Sequence, residues 1–224
     1  MTYRSGCIVV FAKAPIPGAV KSRLVPVYGK RKAAELYRQM LLETLAKAAG
    51  LTSLELWCSP NPRHPFLHRC AKTFGARCET QQGRDLGSRM HRAFANVLRR
   101  HRWAIIVGSD CVSLSRSDLD VACATLARGS AGAVLGPAAD GGYVLLGLRS
   151  PDPSLFHGIP WGSDRVLGAT RRRLGIGGYD WKELPVRWDA DRPDDVRRWM
   201  DERRRSGGFP WRWRKPHRDR FHRH

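Results

Sequence analysis

Residues 7–24 read CIVVFAKAPIPGAVKSRL, an apolar run that passes directly into a loop of prolines, glycine and basic residues. Residues 7–10 are typical of a strand that is buried on both faces of a parallel sheet. The loop carries Lys13, Lys21 and Arg23 but no acidic residue. Ligands of open α/β sheets bind beyond the carboxyl ends of the strands, so this loop predicts a site for a phosphate or diphosphate. The alternative is a surface turn whose cations are solvated.

Strands and helices are predicted to alternate along the rest of the chain. Apolar residues recur at helical spacing in segments such as 32–49 and 86–102, and short apolar runs between the helices suit strands. The predicted strands are residues 7–10, 54–58, 77–80, 104–107, 131–135 and 143–148, and the predicted helices are residues 32–49, 64–74, 86–102, 115–127, 161–174 and 193–204. The alternation favours an α/β fold, a three-layer α/β/α sandwich whose mostly parallel sheet is covered on both faces.

The 224-residue chain has a net charge of +20, and part of this surplus is concentrated in residues 203–224. That segment holds nine arginine or lysine residues, one acid and the aromatic residues Trp211, Trp213 and Phe221. We predict one domain over residues 1–205 and a basic, disordered tail over the remainder, because the tail lacks a periodic apolar face. The alternative is a tail that stacks on nucleic acid and neutralises it.

The six cysteines and the hydropathy of the chain predict a cytoplasmic protein. The cysteines show neither a C-x-x-C pair nor a zinc-finger spacing, so reduced, buried thiols are expected. The apolar run near the amino terminus is too short for the core of a signal peptide, and no stretch approaches the roughly eighteen apolar residues of a membrane span. We therefore predict no membrane span.

Asp110 is the metal ligand that the residues themselves indicate. It follows the predicted strand 104–107 through Gly108, so its carboxylate is expected at the carboxyl end of a strand, where glycine lets a ligand approach the backbone. Mg²⁺ and Mn²⁺ bind hard oxygen ligands and commonly use one or two carboxylates together with substrate phosphates. The alternative is that Asp110 caps a helix or a turn.

Six segments resemble, in the same order, the motifs of one bacterial protein family. They are residues 11–24, QQGRDLGSRM at 81–90, GSDC at 108–111, GPAADGGY at 136–143, IPWGSD at 159–164 and DADRPDD at 189–195. The family comprises small GT-A-type proteins described as arsenosugar-biosynthesis-like glycosyltransferases, relatives of nucleotidyltransferases such as molybdenum-cofactor guanylyltransferase. The resemblance covers residues from about 6 to 200 and implies the GT-A, nucleotide-diphospho-sugar transferase-like fold with a mixed sheet.

The resemblance also implies a metal and nucleotide site. Asp110 would hold Mg²⁺ or Mn²⁺ with a second carboxylate from Asp189 or Asp191, of which Asp191 is favoured. The residues expected to bind the nucleotide or its phosphates are Lys13, Pro17, Gly18, Lys21, Arg23, Gln81, Gly83, Asp85 and Arg89. Among these, Arg89 would lie at the start of a helix whose amino terminus faces a phosphate. The alternative is that Arg89 is a solvated cation on the surface of that helix.

A second group of residues is implied to contact the sugar or the acceptor. Asp140 is a candidate catalytic residue, either orienting the acceptor hydroxyl or acting as a general base. The adjacent Gly141 and Gly142 would admit a substrate against the backbone. Trp161 offers an aromatic face for a sugar. The alternatives are a hairpin turn without function for the first three residues and a core position for the tryptophan.

The chain departs from the family pattern at three positions. Ser109 and Val112 replace a threonine and a proline around Asp110, and Arg192 stands where threonine is usual. Serine retains the hydroxyl, whereas loss of the proline frees the turn after Asp110. None of the three changes removes a predicted metal ligand.

These observations predict a metal-dependent glycosyltransferase that uses a nucleotide-diphospho-sugar donor and an acceptor that the sequence does not identify. The first alternative is a nucleotidyltransferase that joins a nucleoside triphosphate to a phosphorylated sugar or cofactor precursor and releases pyrophosphate. The second is a non-catalytic protein that binds nucleic acid or another polyanion through its positive charge. Nucleotide binding that needs a divalent metal and Asp110 would separate the enzymes from the non-catalytic protein.

Overall fold

Seven strands form one mixed sheet in the computed structural model, which describes residues 3–205. The strands are β1 (Gly6–Lys13), β2 (Ser53–Ser59), β3 (Arg77–Thr80), β4 (Trp103–Gly108), β5 (Ala133–Pro137), β6 (Tyr143–Leu148) and β7 (Trp181–Glu183). The helices are α1 (Val25–Ala48), α2 (Pro65–Phe74), α3 (Leu86–Val97), α4 (Arg116–Arg128), α5 (Val166–Ile176) and α6 (Pro193–Arg205), with short 3₁₀ turns at Ser22–Leu24 and Pro153–Phe156. The predicted tail, residues 206–224, lies outside the described residues.

The strand order is β3-β2-β1-β4-β6-β5-β7. Strands β1 to β4 are parallel, β6 runs antiparallel to both of its neighbours, and β7 is parallel to β5. Lys13 pairs with Ser59 of β2, and Phe11 pairs with Gly108 of β4, so the carboxyl ends of these three strands meet at one edge. Ligands of such sheets bind at this edge.

Helices cover both faces of the sheet, because successive residues of the central strands point to opposite sides. Ile8 and Val10 of β1 pack in the core beneath α1, α2 and α4. Cys7 and Val9 pack in the opposite core, with Phe94 of α3 among its members. The predicted three-layer α/β/α architecture is therefore confirmed.

The structure differs from the prediction at several element boundaries. Helix α5 begins at Val166 rather than at residue 161, because Gly162 has a left-handed backbone (φ 84°) and residues 161–164 form a turn. Helix α3 ends at Val97, not at residue 102. The short strand β7 was not predicted, since three residues are too few to show an alternating pattern.

The spacing of Ser115 and Asp118 in the sequence predicts a capped start for α4, and this prediction is confirmed. Ser115 caps α4 in a capping box with Asp118, and each side chain accepts a hydrogen bond from the backbone of the other. All six cysteines are free thiols. Within residues 3–205, no helix combines the length and the apolar character needed to cross a membrane.

Candidate nucleotide and metal site

A cavity of about 580 Å³ opens at the carboxyl ends of β1 and β4. This volume is within the range of small-molecule sites, roughly 300–1,000 Å³. Seven of the predicted site residues line it: Lys13, Lys21, Arg23, Gln81, Arg89, Asp110 and Asp191. Residues separated by as many as 178 positions in the sequence are thus brought to one cleft by the parallel strands and the loops that follow them.

Lys21 connects the two carboxylates that were predicted to bind metal. Its Nζ donates to Oδ2 of Asp110 at 2.8 Å and to Oδ1 of Asp191 at 2.5 Å. Only 4% of the Lys21 side chain is exposed, compared with 36% for Asp110 and 42% for Asp191. Burial opposes the charge of Lys21, but the two carboxylates outweigh it and raise the pKa of the ammonium. Lys21 is therefore a buried cation held between two acids.

The segment that carries Asp191 is anchored to the end of β4 and to α4. The backbone N–H of Ala190 donates to the carbonyl oxygen of Asp110 at 3.2 Å. The guanidinium of Arg187 binds both carboxylate oxygens of Asp118, at 2.8 and 2.6 Å. These contacts place Asp191 beside Asp110, although the two residues lie 81 positions apart in the sequence.

A further carboxylate, that of Asp189, is half-buried near Asp110 but does not line the cavity. Burial, followed by the charge of Asp110, raises the pKa of Asp189 well above its ordinary value. Asp140 and Asp191 contribute to the same shift. Two carboxylates therefore bind the buried ammonium of Lys21, and a third carboxylate, that of Asp189, feels their charge, an arrangement that attracts further positive charge.

The predicted phosphate loop supplies further cations to the cleft. Lys13 is exposed at the end of β1, and the side chain of Arg23 is 68% exposed, with Nη1 3.3 Å from Oδ2 of Asp191. Pro17 and Gly18 belong to the same loop but do not line the cavity. Gly18 has a left-handed backbone (φ 88°), so its structural role is to turn the chain.

Tyr37 lines the cleft, although the sequence predicted it only as part of the helix over residues 32–49. Its hydroxyl accepts a hydrogen bond from the backbone N–H of Lys13 at 2.8 Å and lies 2.8 Å from Oγ of Ser109. Burial raises the pKa of Tyr37 to about 12, so the phenol is neutral at physiological pH. The sequence did contain a signal for these contacts. A tyrosine on the buried face of a helix has a hydroxyl that requires a polar partner.

The segment before α3 and the first turn of this helix form hydrogen bonds that stabilise the fold. The side-chain amide nitrogen of Gln81 donates to the carbonyl oxygens of Ala12 and Trp57, at 3.1 and 2.8 Å, and so joins the ends of β1 and β2. Nε of Arg89 donates to the carbonyl oxygen of Gly83 at 3.1 Å. Asp85 caps α3, and its carboxylate accepts from the backbone N–H of Ser88 at 2.7 Å. Neither Gly83 nor Asp85 lines the cavity.

The residues predicted to contact the sugar or the acceptor form a neighbouring structure outside the cavity lining. Oδ1 of Asp140 accepts from the backbone N–H of Gly142 at 3.0 Å, which stabilises the turn between β5 and β6. Gly141 packs against the backbone of Asp164. Trp161 is half-buried, and its indole covers Gly87 of α3.

Comparisons with known proteins agree with this architecture. A family model described as "Uncharacterized protein conserved in bacteria (DUF2064)" matches residues 41–163. A crystal structure from Desulfovibrio desulfuricans G20, provisionally named a nucleotide-diphospho-sugar transferase, is 32% identical, with a TM-score of 0.78 over 88% of this chain and 85% of that one. A search of curated proteins gives no significant match.

Two more distant structures share the fold. The inositol-1-phosphate CTP transferase from T. maritima is 13% identical, with a TM-score of 0.56 over 89% of this chain and 96% of that one. The glucosyl-3-phosphoglycerate synthase from Mycobacterium tuberculosis, in complex with Mn²⁺, UDP and glucosyl-3-phosphoglycerate, is 14% identical, with a TM-score of 0.52 over 89% of this chain and 77% of that one. The predicted nucleotide-diphospho-sugar transferase-like fold is confirmed.

Proposed function

This chain belongs to the bacterial family DUF2064, and from that premise and the geometry of its cleft we propose that it is a metal-dependent glycosyltransferase with a nucleotide-diphospho-sugar donor. One observation supports the proposal above all. Three cations of the 13–23 loop and the carboxylates of Asp110 and Asp191 line a single cavity at the carboxyl end of the sheet. A diphosphate bound with a divalent cation presents the charges that such a cleft complements.

The donor set fits a hard divalent cation. Asp110 and Asp191 provide carboxylate oxygens, the ligand type that Mg²⁺ and Mn²⁺ prefer, and both already bind one positive charge in the Lys21 ammonium. Asp189, two residues before Asp191, is the other candidate for the second carboxylate that the family resemblance implies. When bound, the metal would act as a Lewis acid that neutralises negative charge on the diphosphate.

The basic residues of the cleft would bind and orient the diphosphate. Lys13 and Arg23 are exposed cations on the loop side of the cavity, so their charges can approach phosphate oxygens without a further cost of burial. Arg89 lines the same cavity from the first turn of α3. Fixed positive groups in this position stabilise the charge that develops on the departing nucleoside diphosphate.

Asp140 is the proposed catalytic base. In glycosyl transfer, an acceptor hydroxyl attacks the anomeric carbon, the bond from that carbon to the diphosphate oxygen breaks, and the bonding electron pair leaves with the nucleoside diphosphate. The hydroxyl proton would pass to the Asp140 carboxylate, which is exposed and whose charge reaches Asp189. Gly141, Gly142 and Trp161 form the adjoining surface on which a sugar would pack.

A thermal-shift experiment tests this function. Nucleoside diphosphates, triphosphates and diphospho-sugars are each added with and without Mn²⁺ to the wild type, to Asp110→Asn and to the control Asp201→Asn, whose side chain is 57% exposed on α6. A ligand at a hundred times its Kd stabilises the fold by about 2.7 kcal/mol. For a domain of this size that corresponds to a rise in Tm of roughly 5–10 °C.

The expected result is a metal-dependent shift with a diphospho-sugar, present in the wild type and in Asp201→Asn and lost in Asp110→Asn. A larger shift with a triphosphate than with any diphospho-sugar would favour nucleotidyl transfer instead, in which the α-phosphorus is attacked and pyrophosphate leaves. A shift that needs neither metal nor Asp110 would contradict the proposed function.

A further inference from the structure

We infer that Lys21 is the resident counter-ion of the metal-binding carboxylates, and that its ammonium and a divalent cation exclude each other from the position between Asp110 and Asp191. The inference rests on the proposed function, because it concerns the metal that this function uses. It assigns to Lys21 a second role besides phosphate binding. In this role, Lys21 couples the binding of the metal to the binding of the diphosphate.

The exclusion follows from the distances. Nζ of Lys21 lies 2.8 Å from Oδ2 of Asp110 and 2.5 Å from Oδ1 of Asp191. Carboxylate oxygens that bind Mg²⁺ lie about 2.0–2.1 Å from the ion, so a cation bridging the same two oxygens would occupy the space of the ammonium. The divalent cation and the Lys21 ammonium would also repel each other strongly, because both are positive and would lie side by side. The ammonium must therefore leave before a cation can bridge Asp110 and Asp191 through these oxygens.

Leaving this position is unfavourable unless the ammonium gains other partners. The Lys21 side chain is 4% exposed, so little water reaches it where it lies. An ammonium without acceptors in such a place bears the cost of desolvation. The cavity that Lys21 lines also contains Lys13 and Arg23, the other predicted phosphate ligands. Phosphate oxygens bound in this cavity would supply the acceptors that the released ammonium requires.

The backbone of Lys21 is a second, independent sign of a held conformation. Its φ and ψ are 48° and 47°, in the left-handed region. Among residues 3–205 it is the only residue other than glycine with positive φ. Residues with a Cβ atom adopt this conformation rarely, and it persists where surrounding contacts impose it. The two carboxylates are contacts of this kind, because both bind the ammonium of the same residue.

The metal and the diphosphate should each strengthen the binding of the other. Without a diphosphate, a metal ion has to displace the ammonium, so the metal alone binds weakly. With a diphosphate present, the ammonium is drawn away and the carboxylates become available. By linkage, the metal strengthens diphosphate binding by the same factor.

The first test measures binding of Mn²⁺ alone, by electron paramagnetic resonance of free Mn²⁺, in the wild type, Lys21→Met and Lys13→Met. The two variants lose the same charge from the same cavity, but Lys13 forms no ion pair with Asp110 or Asp191. We expect Lys21→Met to bind Mn²⁺ about tenfold more tightly than the wild type, within the usual range of coupling between sites. Lys13→Met should differ from the wild type by much less.

The outcomes separate this inference from the proposed function. Wild-type and Lys21→Met proteins that bind Mn²⁺ equally, or a variant that binds more weakly, would overturn the exchange and leave a metal-dependent enzyme standing. An equal gain in Lys13→Met would reduce the effect to the general charge of the cleft and would also overturn the exchange. Absence of Mn²⁺ binding from all three proteins would refute the metal dependence of the proposed function and the exchange with it.

A second variant covers the case in which Lys21→Met does not fold. Asp191→Asn removes one of the two carboxylates that hold the ammonium and preserves the shape of the side chain. In metal-free buffer, calorimetry should show that Asp191→Asn binds inorganic pyrophosphate several-fold more tightly than the wild type. The control, Asp201→Asn, removes the same charge outside the cavity. Equal affinities in the wild type and Asp191→Asn, or an equal gain in Asp201→Asn, would overturn the exchange.

Discussion

Replacing Asp118 by asparagine should destabilise the protein strongly at neutral pH. The carboxylate of Asp118 is 7% exposed, and it binds Arg187 through two hydrogen bonds of 2.8 and 2.6 Å. Asparagine retains the shape of the side chain but has a single acceptor oxygen, so the substitution removes the countercharge of Arg187 and at least one of the hydrogen bonds that the carboxylate accepts. Breaking a fully buried pair costs about 3–5 kcal/mol.

The guanidinium of Arg187 remains 28% exposed, so water relieves part of this cost, and we expect a loss of about 2–3 kcal/mol. Urea denaturation at pH 7 measures it directly. The matched control, Asp201→Asn, breaks an exposed ion pair with Arg204 on one helix and should change the free energy of unfolding by less than about 0.5 kcal/mol. If Asp118→Asn also lowers the free energy of unfolding by less than about 0.5 kcal/mol, the reasoning is refuted.

The pH dependence provides an independent check on the same pair. Burial opposes the charge of Asp118, but the hydrogen bonds from Arg187 and Ser115 outweigh it and lower its pKa below the ordinary value of 3.8. The stabilisation is therefore complete above pH 3.8 and is lost as the pH falls towards the lower pKa of the folded state. The difference between wild type and Asp118→Asn should shrink in that interval, and a difference independent of pH would contradict the assignment.

Three further outcomes are expected. Gly141→Ala should destabilise the fold by more than about 2 kcal/mol in urea denaturation, roughly the cost of overpacking, because φ is 85° and the new Cβ would clash with the carbonyl oxygen of Asp164. The matched Gly175→Ala, with open space around it, should stabilise α5 by about 0.5–1 kcal/mol. Tyr37→Phe should cost about 1–3 kcal/mol, because Lys13 N–H and Ser109 lose the hydroxyl between them, and a neutral result would show that water replaces it. Cys78, which is half-buried and the least buried of the six thiols, should be the first to react with a thiol reagent in the native protein, and a rapid phase that survives Cys78→Ser would contradict this order.

Local sequence signals predicted most of the fold. The buried strand before the 13–23 loop, the capping box of α4 and the Asp-Gly-Gly turn each depend on residues close together in the chain, and each is present. The segment 159–164 shows where such signals fail. Apolar residues at suitable spacing predicted a helix from residue 161, whereas contacts of Trp161 with Gly87 and of Asp164 with Gly141 impose a turn.

The sequence indicated which residues meet at the cleft better than it indicated their contacts there, and their functional roles stay predictions. The sequence placed Lys21 among phosphate ligands, but its burial between Asp110 and Asp191 arises from segments that meet only in the folded chain. The contact of Tyr37 with Lys13 has the same origin, whereas Asp85 caps α3 through a local contact with Ser88. The nucleotide-diphospho-sugar transferase part of the family resemblance is supported by the matching crystal structure, and the arsenosugar part stays a prediction.

The anchoring of residues 187–191 has a consequence for the order in which the protein becomes functional during synthesis. Six of the seven strands and the basic loop precede β7, so a nascent chain can assemble most of its sheet and its phosphate-binding half before Asp191 leaves the ribosome. Until then Lys21 has one of its two acidic partners, and the half-formed cleft is an exposed cationic surface. The contact of Ala190 with Asp110 brings Asp191 to Lys21, so it converts this cationic surface into the paired site after most of the sheet has been made.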